Sequence, residues 1–376
     1  MTYNPAIEAE AGTFPRTSSA RVPFAGTLAP AREWSRAPIE SPLHRPTPIA
    51  PVQKKQKLRL SVAMCTYNGA THLARQLDSI AAQTRLPDEL TVFDDRSRDD
   101  TLSILNSFAA RAPFEVRVKI NSTNLGSTKN FESAIAAADG DVITLSDQDD
   151  IWYPHKLAAI EAEFNRPENP GLVFSDADVV DANLLPLGYR LWSTVRFNRR
   201  EQARFAAGDG VGVLLKSNVV TGATLAFAAR HRDLILPIPA HWIHDGWVAM
   251  LVSAVDRCRM IPEPLLAYRQ HSGQQIGGRR LTLLEQWEIA RQMDRIYFDR
   301  LEANYAAADE RLRRGPAPVS AGVLRQTLEK ARHCRSRAVM RRSPISRPGL
   351  ILMEVARRRY ERYSLGWKSL AQDMFL

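Results

Sequence analysis

One acidic stretch, LSDQDDIW (Leu145–Trp152), limits what this chain can fold into more than any other. It follows DVITL (Asp141–Leu145), a β-rich run bounded by Gly140, which reads as a buried strand. Behind it come Pro154 and HKLAAIEAEF, whose apolar residues recur at helical spacing. Asp147, Asp149 and Asp150 therefore sit where a strand ends and a helix begins. Three carboxylates within four residues repel one another, and burying them unpaired costs several kcal/mol. A hard divalent cation, Mg²⁺ or Mn²⁺, arriving with phosphate ligands of its own relieves that conflict. A solvated acidic turn is the plainer alternative, and the strand in front argues against it.

The surroundings are read the same way. RLSVAMC (Arg59–Cys65), ELTVFDD (Glu89–Asp95) and VRVKIN (Val116–Asn121) are strands. Between them HLARQLDSIAAQ, TLSILNSFAAR and FESAIAAA carry helical periodicity. Strands alternating with helices imply a parallel sheet with right-handed crossovers, whose ligands collect at the carboxyl ends of the strands. Tyr67, Asp94, Asp95, Lys129 and the acidic cluster all fall at that edge. Either Asp94 or Asp95 is also placed to cap the turn that follows.

At 376 residues the chain can bury a large core, and 44% hydrophobic with 24% charged content is ordinary for a soluble protein. Residues 1–57 read as a disordered, Pro-rich leader: nine prolines lie between Pro5 and Pro51, and no apolar period survives among them. No secretory signal and no membrane-spanning run is visible, and Cys65, Cys258 and Cys334 suit neither a disulfide framework nor zinc, so a reduced, cytoplasmic protein is expected. The last segment, 281–376, reads as basic and helical. After Gly315–Pro318 it holds 13 basic and 4 acidic residues, a balance of +9 within the chain's +10. Such helices suit either an anionic membrane surface or a solvated appendage packed on the core.

The segments MCTYNGATHLARQLDSIAAQ, ELTVFDDRSRDDT, NLGSTKNFESAI and GDVITLSDQDDIWYPHKL, taken in order, resemble glycosyltransferase family 2. The resemblance runs from about Leu58 to Ser272 and implies an inverting transferase of GT-A fold. That fold is an α/β, doubly wound, mostly parallel sheet flanked by helices, with a nucleotide-binding half (58–150) and an acceptor half (151–280). The DQDD-x-W variant is similar to the rhamnosyltransferase-like branch, which implies dTDP-L-rhamnose as donor, a saccharide or lipid-linked saccharide as acceptor, and a role in bacterial surface polysaccharide synthesis.

Carried over residue by residue, the resemblance implies that Cys65, Thr66, Tyr67 and Asn68 hold the nucleobase and that Asp95 accepts a pyrimidine imide N–H. Lys129 meets the diphosphate, Asp147 the ribose side, and Asp149 the metal, with His271 of YRQH as a second ligand. Asp245, at the start of HDGWVAMLVSAV, matches the catalytic base, although an Asp there also suits a simple helix cap. Asp176, Asp178, Thr221, Gly222, Trp247 and Arg269 are expected on the acceptor side. A nucleotidyltransferase is the nearest rival, but TYNGA lacks its Gly-rich basic opening. A nucleic-acid-binding protein is suggested by the pI of about 9.7, yet the charge is gathered in the tail instead of on a reading surface.

Overall fold

The computed structural model describes residues 57–271 and 282–375. The leader expected over 1–57 and the segment between YRQH and the C-terminal helices lie outside them, apart from Lys57. Strands β1 (Leu60–Thr66), β2 (Glu89–Asp94), β3 (Glu115–Ile120) and β4 (Val142–Ser146) alternate with helices α1 (Ala70–Ala81), α2 (Thr101–Ala109) and α3 (Ser127–Ala137). All three pairings, β3 to β2, β2 to β1 and β1 to β4, are parallel. Each strand starts and stops within about two residues of its periodic pattern.

After β4 come the short β5 (Ile151–Trp152), α4 (Lys156–Phe164), β6 (Leu172–Val180) and β7 (Pro186–Arg190). Next are α5 (Leu191–Thr194), α6 (Arg199–Ala206), α7 (Gly210–Lys216), β8 (Leu225–Ala228), α8 (Arg232–Ile235), α9 (His244–Val255) and β9 (Cys258–Arg269). The sheet runs β3-β2-β1-β4-β8-β6-β9-β5, with β7 on β6. β8 is antiparallel to both β4 and β6, whereas β9 returns parallel to β6. The second half is thus mixed where the first is purely parallel.

Both faces of the sheet are covered, so its central strands are apolar on both sides, as parallel sheets require. Along β1 the residues alternate between two cores. Leu60, Val62 and Met64 join α1, α2 and α4 through Leu73, Leu77, Phe108 and Ile160. Ala63 and Cys65 join α3, α7 and α9 through Phe131, Leu214, Trp247 and Leu251. At roughly 1.5–3 kcal/mol per buried large apolar side chain, these two layers dominate the fold's stability.

The remaining chain is helical: α10 (Leu283–Gln292), α11 (Arg295–Arg314), α12 (Ala321–Arg342), α13 (Arg347–Ala356), α14 (Arg359–Tyr363) and α15 (Trp367–Phe375). These helices share the core of the sheet domain. Leu312 and Tyr363 are buried among residues of α7 and α9. Arg311 donates to the carbonyls of Leu234, Leu236 and Pro237 at 2.8–3.0 Å, which satisfies the open end of α8. Among the described residues no helix is long and apolar enough to cross a membrane.

Candidate active site

The acidic loop after β4 is anchored from below. The Asp150 carboxylate is completely buried; one oxygen accepts the Arg269 N–H at 3.1 Å and the other has no partner among the described residues. Arg269, expected on the acceptor side, is instead a buried strut. Its guanidinium donates to the carbonyls of Asp149 and Ala182 at 2.6 and 2.7 Å, holding the loop's backbone. Asp149 reaches His271, Oδ2 to Nε2 at 2.8 Å, so the two residues expected to share a metal do meet. The ring of His72 packs against His271 at 4.8 Å between centroids.

Charge in this loop is poorly compensated. Burial, then the charges of Asp149 and Asp245, push Asp147 up to about 7. Burial and the charges of Asp149 and Asp147 hold Asp150 well above the usual carboxylate range. A second buried cation, besides Arg269, lies beneath: Lys156 donates to the Ala223 carbonyl at 2.6 Å and sits 4.0 Å over the Trp152 ring, and burial brings its ammonium down to about 7. Lys156 was open to detection, because it shares the apolar stripe of α4 with Ile160 and Phe164. A lysine on such a stripe needs a buried partner.

The turn after β1 is clamped to the acidic loop. The Gln148 side chain accepts the Tyr67 N–H at 2.9 Å and donates to the Tyr67 carbonyl at 3.1 Å. A Cβ at Gly69 would lie 2.2 Å from the Gln148 amide oxygen, so a larger residue there would push Gln148 out of this clamp. Tyr67 leaves its ring exposed at the site edge. Asn68, in a left-handed conformation at φ +47°, accepts the Arg98 N–H. The Cys65 side chain packs in the core, and Thr66 gives its hydroxyl to Asp94.

Asp94 and Asp95 take different parts. Asp94 accepts the Ser97 N–H and closes the turn. Asp95 cradles the following loop, accepting from Leu125 N–H and Asn121 Nδ2 on one oxygen and from Gly126 N–H on the other, all at 2.8 Å. Gly126 takes φ +77° to present that N–H. Three donors leave Asp95 one acceptor position for a ligand.

Lys129 differs from expectation. Its ammonium is held at 2.7 Å by Glu132 and by the Ile238 carbonyl, so it ties α3 to the loop after α8 instead of pointing at the sheet edge. Trp247 is a second correction. It is wholly buried, with its indole N–H given to the Ile235 carbonyl at 2.7 Å, and has no face for an acceptor. Helix α9 is buried along most of its length, and periodicity cannot orient such a helix.

Asp245 stands in the first turn of α9, two residues past the position that caps it, which Ile243 occupies. The simple-cap alternative is therefore not what the residue does. One oxygen accepts from Asn218 Nδ2 and from the Gly246 N–H, the other from the Gly222 N–H at 3.1 Å. Burial outweighs these bonds and raises the carboxyl to about 6. Gly222 thus contributes through its backbone, and Thr221 precedes it at the loop's turn. The neighbouring His244 stacks on Phe131 at 3.9 Å, and burial lowers it to about 3, a neutral ring. Asp176 and Asp178 are engaged elsewhere: buried Asp176 accepts the Trp192 N–H at 3.0 Å, and half-exposed Asp178 accepts the Tyr153 hydroxyl at 2.8 Å.

Among the described residues no three His, Cys, Asp or Glu side chains already converge as a metal cage. The hard-oxygen donors, the partnerless Asp150 oxygen and the unrelieved acidity nevertheless suit a divalent cation that keeps phosphate and water ligands, as Mg²⁺ does.

Residues 61–207 match the family model "Glycosyl transferase family 2". An uncharacterised glycosyltransferase of Nostoc sp. is 33% identical over 221 residues, which cover 57% of this chain and 65% of that protein. The dTDP-rhamnosyl transferase RfbG of Shigella flexneri is 28% identical over 225 residues, covering 57% and 73% respectively. An uncharacterised Mycobacterium bovis protein is 28% identical, with 57% and 59% covered. The chain therefore spans less than two thirds of the length of the Nostoc and mycobacterial relatives. Among solved structures, S. aureus TarS 1–349, in complex with UDP-GlcNAc, aligns with a TM-score of 0.51 at 16% identity over 74% of this chain and 72% of its own. That likeness establishes the GT-A type of fold.

Proposed function

We propose that this chain is an inverting glycosyltransferase using a pyrimidine-diphosphate sugar. The observation that carries the reading is the placement of Asp245. It is a buried carboxylate oriented by Asn218 and Gly222, close enough to the loop acids for its charge to raise Asp147. Asp245 takes the proton from an acceptor hydroxyl as that oxygen bonds to the anomeric carbon. The bond from that carbon to the nucleoside diphosphate breaks on the opposite face, so the configuration inverts and no covalent intermediate forms. Asp149 and His271 would hold Mg²⁺ or Mn²⁺, which when bound offsets charge on the departing diphosphate. The clamped turn at Tyr67 and the remaining acceptor position of Asp95 are offered to the nucleobase.

The match to the Shigella rhamnosyl transferase supports dTDP-L-rhamnose as donor, and with it a cytoplasmic role in surface polysaccharide synthesis on a saccharide or lipid-linked acceptor. Calorimetry against dTDP-rhamnose, UDP-glucose, UDP-galactose and UDP-N-acetylglucosamine, with and without Mn²⁺, tests the proposal. Metal-dependent binding of one donor that disappears in Asp149→Asn is expected. Pyrophosphate release from a nucleoside triphosphate and a sugar phosphate would transfer the chain to the nucleotidyltransferases. Binding of no donor in the presence of metal would remove the reading altogether.

A further inference from the structure

The charge of the C-terminal helices is not spread evenly between inside and outside. Asp373 is fully buried against Arg337, Oδ2 to Nε at 2.7 Å, and against Arg341 at 3.2 Å. Glu354 is fully buried between His333 and Arg359 at 2.6 and 2.7 Å. Over 342–375 this leaves Glu361 as the one exposed acid, against exposed Arg342, Arg357, Arg358, Arg362 and Lys368. The outside of this region is therefore more positive than its composition implies.

The same helices leave apolar side chains in solvent. Ile345 is 94% exposed and leads into α13, where Leu352 is 70% exposed and Val355 lies one turn on, on the same face. On α15, Trp367 (73%) and Phe375 (72%) are exposed, with Met374 beside Phe375. Helices α13 and α15 belong to one packed group, and α10 joins it where Gln372 donates to the Ala290 carbonyl at 2.6 Å. Exposed apolar surface of this kind needs a cover.

We infer that α13 and α15 form a docking face for an anionic lipid surface, with Leu352, Val355, Trp367 and Phe375 entering the interface and the surrounding arginines and Lys368 facing the headgroups. A second copy of this chain would bring the same cations into contact, and like charges oppose that cover. A nucleic acid would use the cations but leave the aliphatic stripe of α13 unserved. An anionic bilayer serves both, because amphipathic helices bind through buried apolar area plus attraction to acidic headgroups. The sequence pointed to the whole of 316–376. The structure narrows the face to α13 and α15, since much of the charge of α12 is spent internally on Asp373 and on the Tyr363 carbonyl.

Removing residues after Pro316 is a poor test, because Tyr363 is part of the central core. Exposed point changes in the full chain serve better. Co-sedimentation with vesicles of equal parts phosphatidylcholine and phosphatidylglycerol is compared with pure phosphatidylcholine for the wild type, Leu352→Ser/Trp367→Ser and Arg357→Gln/Lys368→Gln. The wild type should bind the anionic vesicles, and binding should fall as salt rises from about 0.1 M to about 1 M, where the screening length drops from roughly 10 Å to 3 Å. Each lost cation should weaken binding about fivefold, and the apolar pair should weaken it at least tenfold. Wild-type binding that is absent, unchanged in both variants or equal on neutral vesicles overturns the inference. So does a concentration-dependent dimer that Leu352→Ser/Trp367→Ser dissolves. Metal-dependent donor binding is read on the same variants and should not change; its loss in the wild type would count against the transferase reading and leave this one standing.

Discussion

The acidic loop after β4 and the C-terminal helices handle carboxylates in opposite ways. In the loop, Asp147, Asp149 and Asp150 are crowded together over one buried lysine, and two of them are pushed upward by burial and by one another. In the C-terminal helices the buried acids are matched: Asp373 lies between Arg337 and Arg341, and Glu354 pairs with Arg359 and with the ring of His333. Acids left in conflict in one place and matched in another suit the proposed ligand site in the first and stability in the second. Removing an acid should therefore lower activity in the first region and stability in the second.

The sharpest break of that contrast comes at Asp245. Asp245→Asn should slow transfer roughly 10²–10⁴-fold, the usual worth of a general base, with donor affinity near wild type. In the wild type the rate should climb as pH rises through about 6, where the carboxyl ionises, and level off above it. A variant that keeps most of its turnover would move the base elsewhere, with Asp176 and Asp178 the next to examine.

In the second region, Asp373→Ala strands Arg337, Arg341 and the Tyr360 hydroxyl, which donates to Asp373 at 2.9 Å. Breaking such a buried network costs about 3–5 kcal/mol, readable by chemical denaturation. A loss under 1 kcal/mol would mean that the pairing is not structural.

Asp147→Asn should do the reverse. The folded state raises this carboxyl from 3.8 to about 7, so the wild type loses stability as pH rises through that window, once the group must ionise. The variant lacks the loss. Thermal melts should coincide below pH 4 and separate by about 1–3 kcal/mol above pH 7, the variant being the more stable. Parallel curves would show that the loop acids are not in conflict.

The smallest effect distinguishes the sequence expectation for Lys129 from its observed place. A lysine gripping a diphosphate is worth roughly 1.5–3 kcal/mol, or tenfold and more. One spent on Glu132 and the Ile238 carbonyl should change donor affinity less than about threefold in Lys129→Ala and stability by less than about 1 kcal/mol.

The first half of the fold was legible because buried parallel strands and their crossover helices imprint long apolar periods. β1 through β4 and α1, α2 and α4 fall where those periods place them, whereas α3 begins at Ser127, four residues before the periodic run FESAIAAA. β5 has two residues, and β7 (PLGYR) is largely exposed, so neither leaves a hydrophobic trace. At the site, positions that follow from order along the chain were readable, such as Asp149 after a strand end and Asp245 in a first helical turn. Residues whose role depends on a distant partner were not. Lys129 and Trp247 are directed by the α8 segment, Arg269 by a carbonyl of Ala182, and Gln148 by a turn far away in sequence. The tail's composition gave its net charge correctly but could not say which charges face inward.

The Gln148 amide joins two loops separated by 81 positions. A recombination library that swaps the turn after β1 between related chains will therefore inherit a hidden compatibility rule. The glycine at 69 and the glutamine at 148 fit best when they travel together, since a side chain at 69 displaces the amide that holds the turn. Grafts cut between them should fail in proportion to how often that pair is split, whatever the similarity of the pieces.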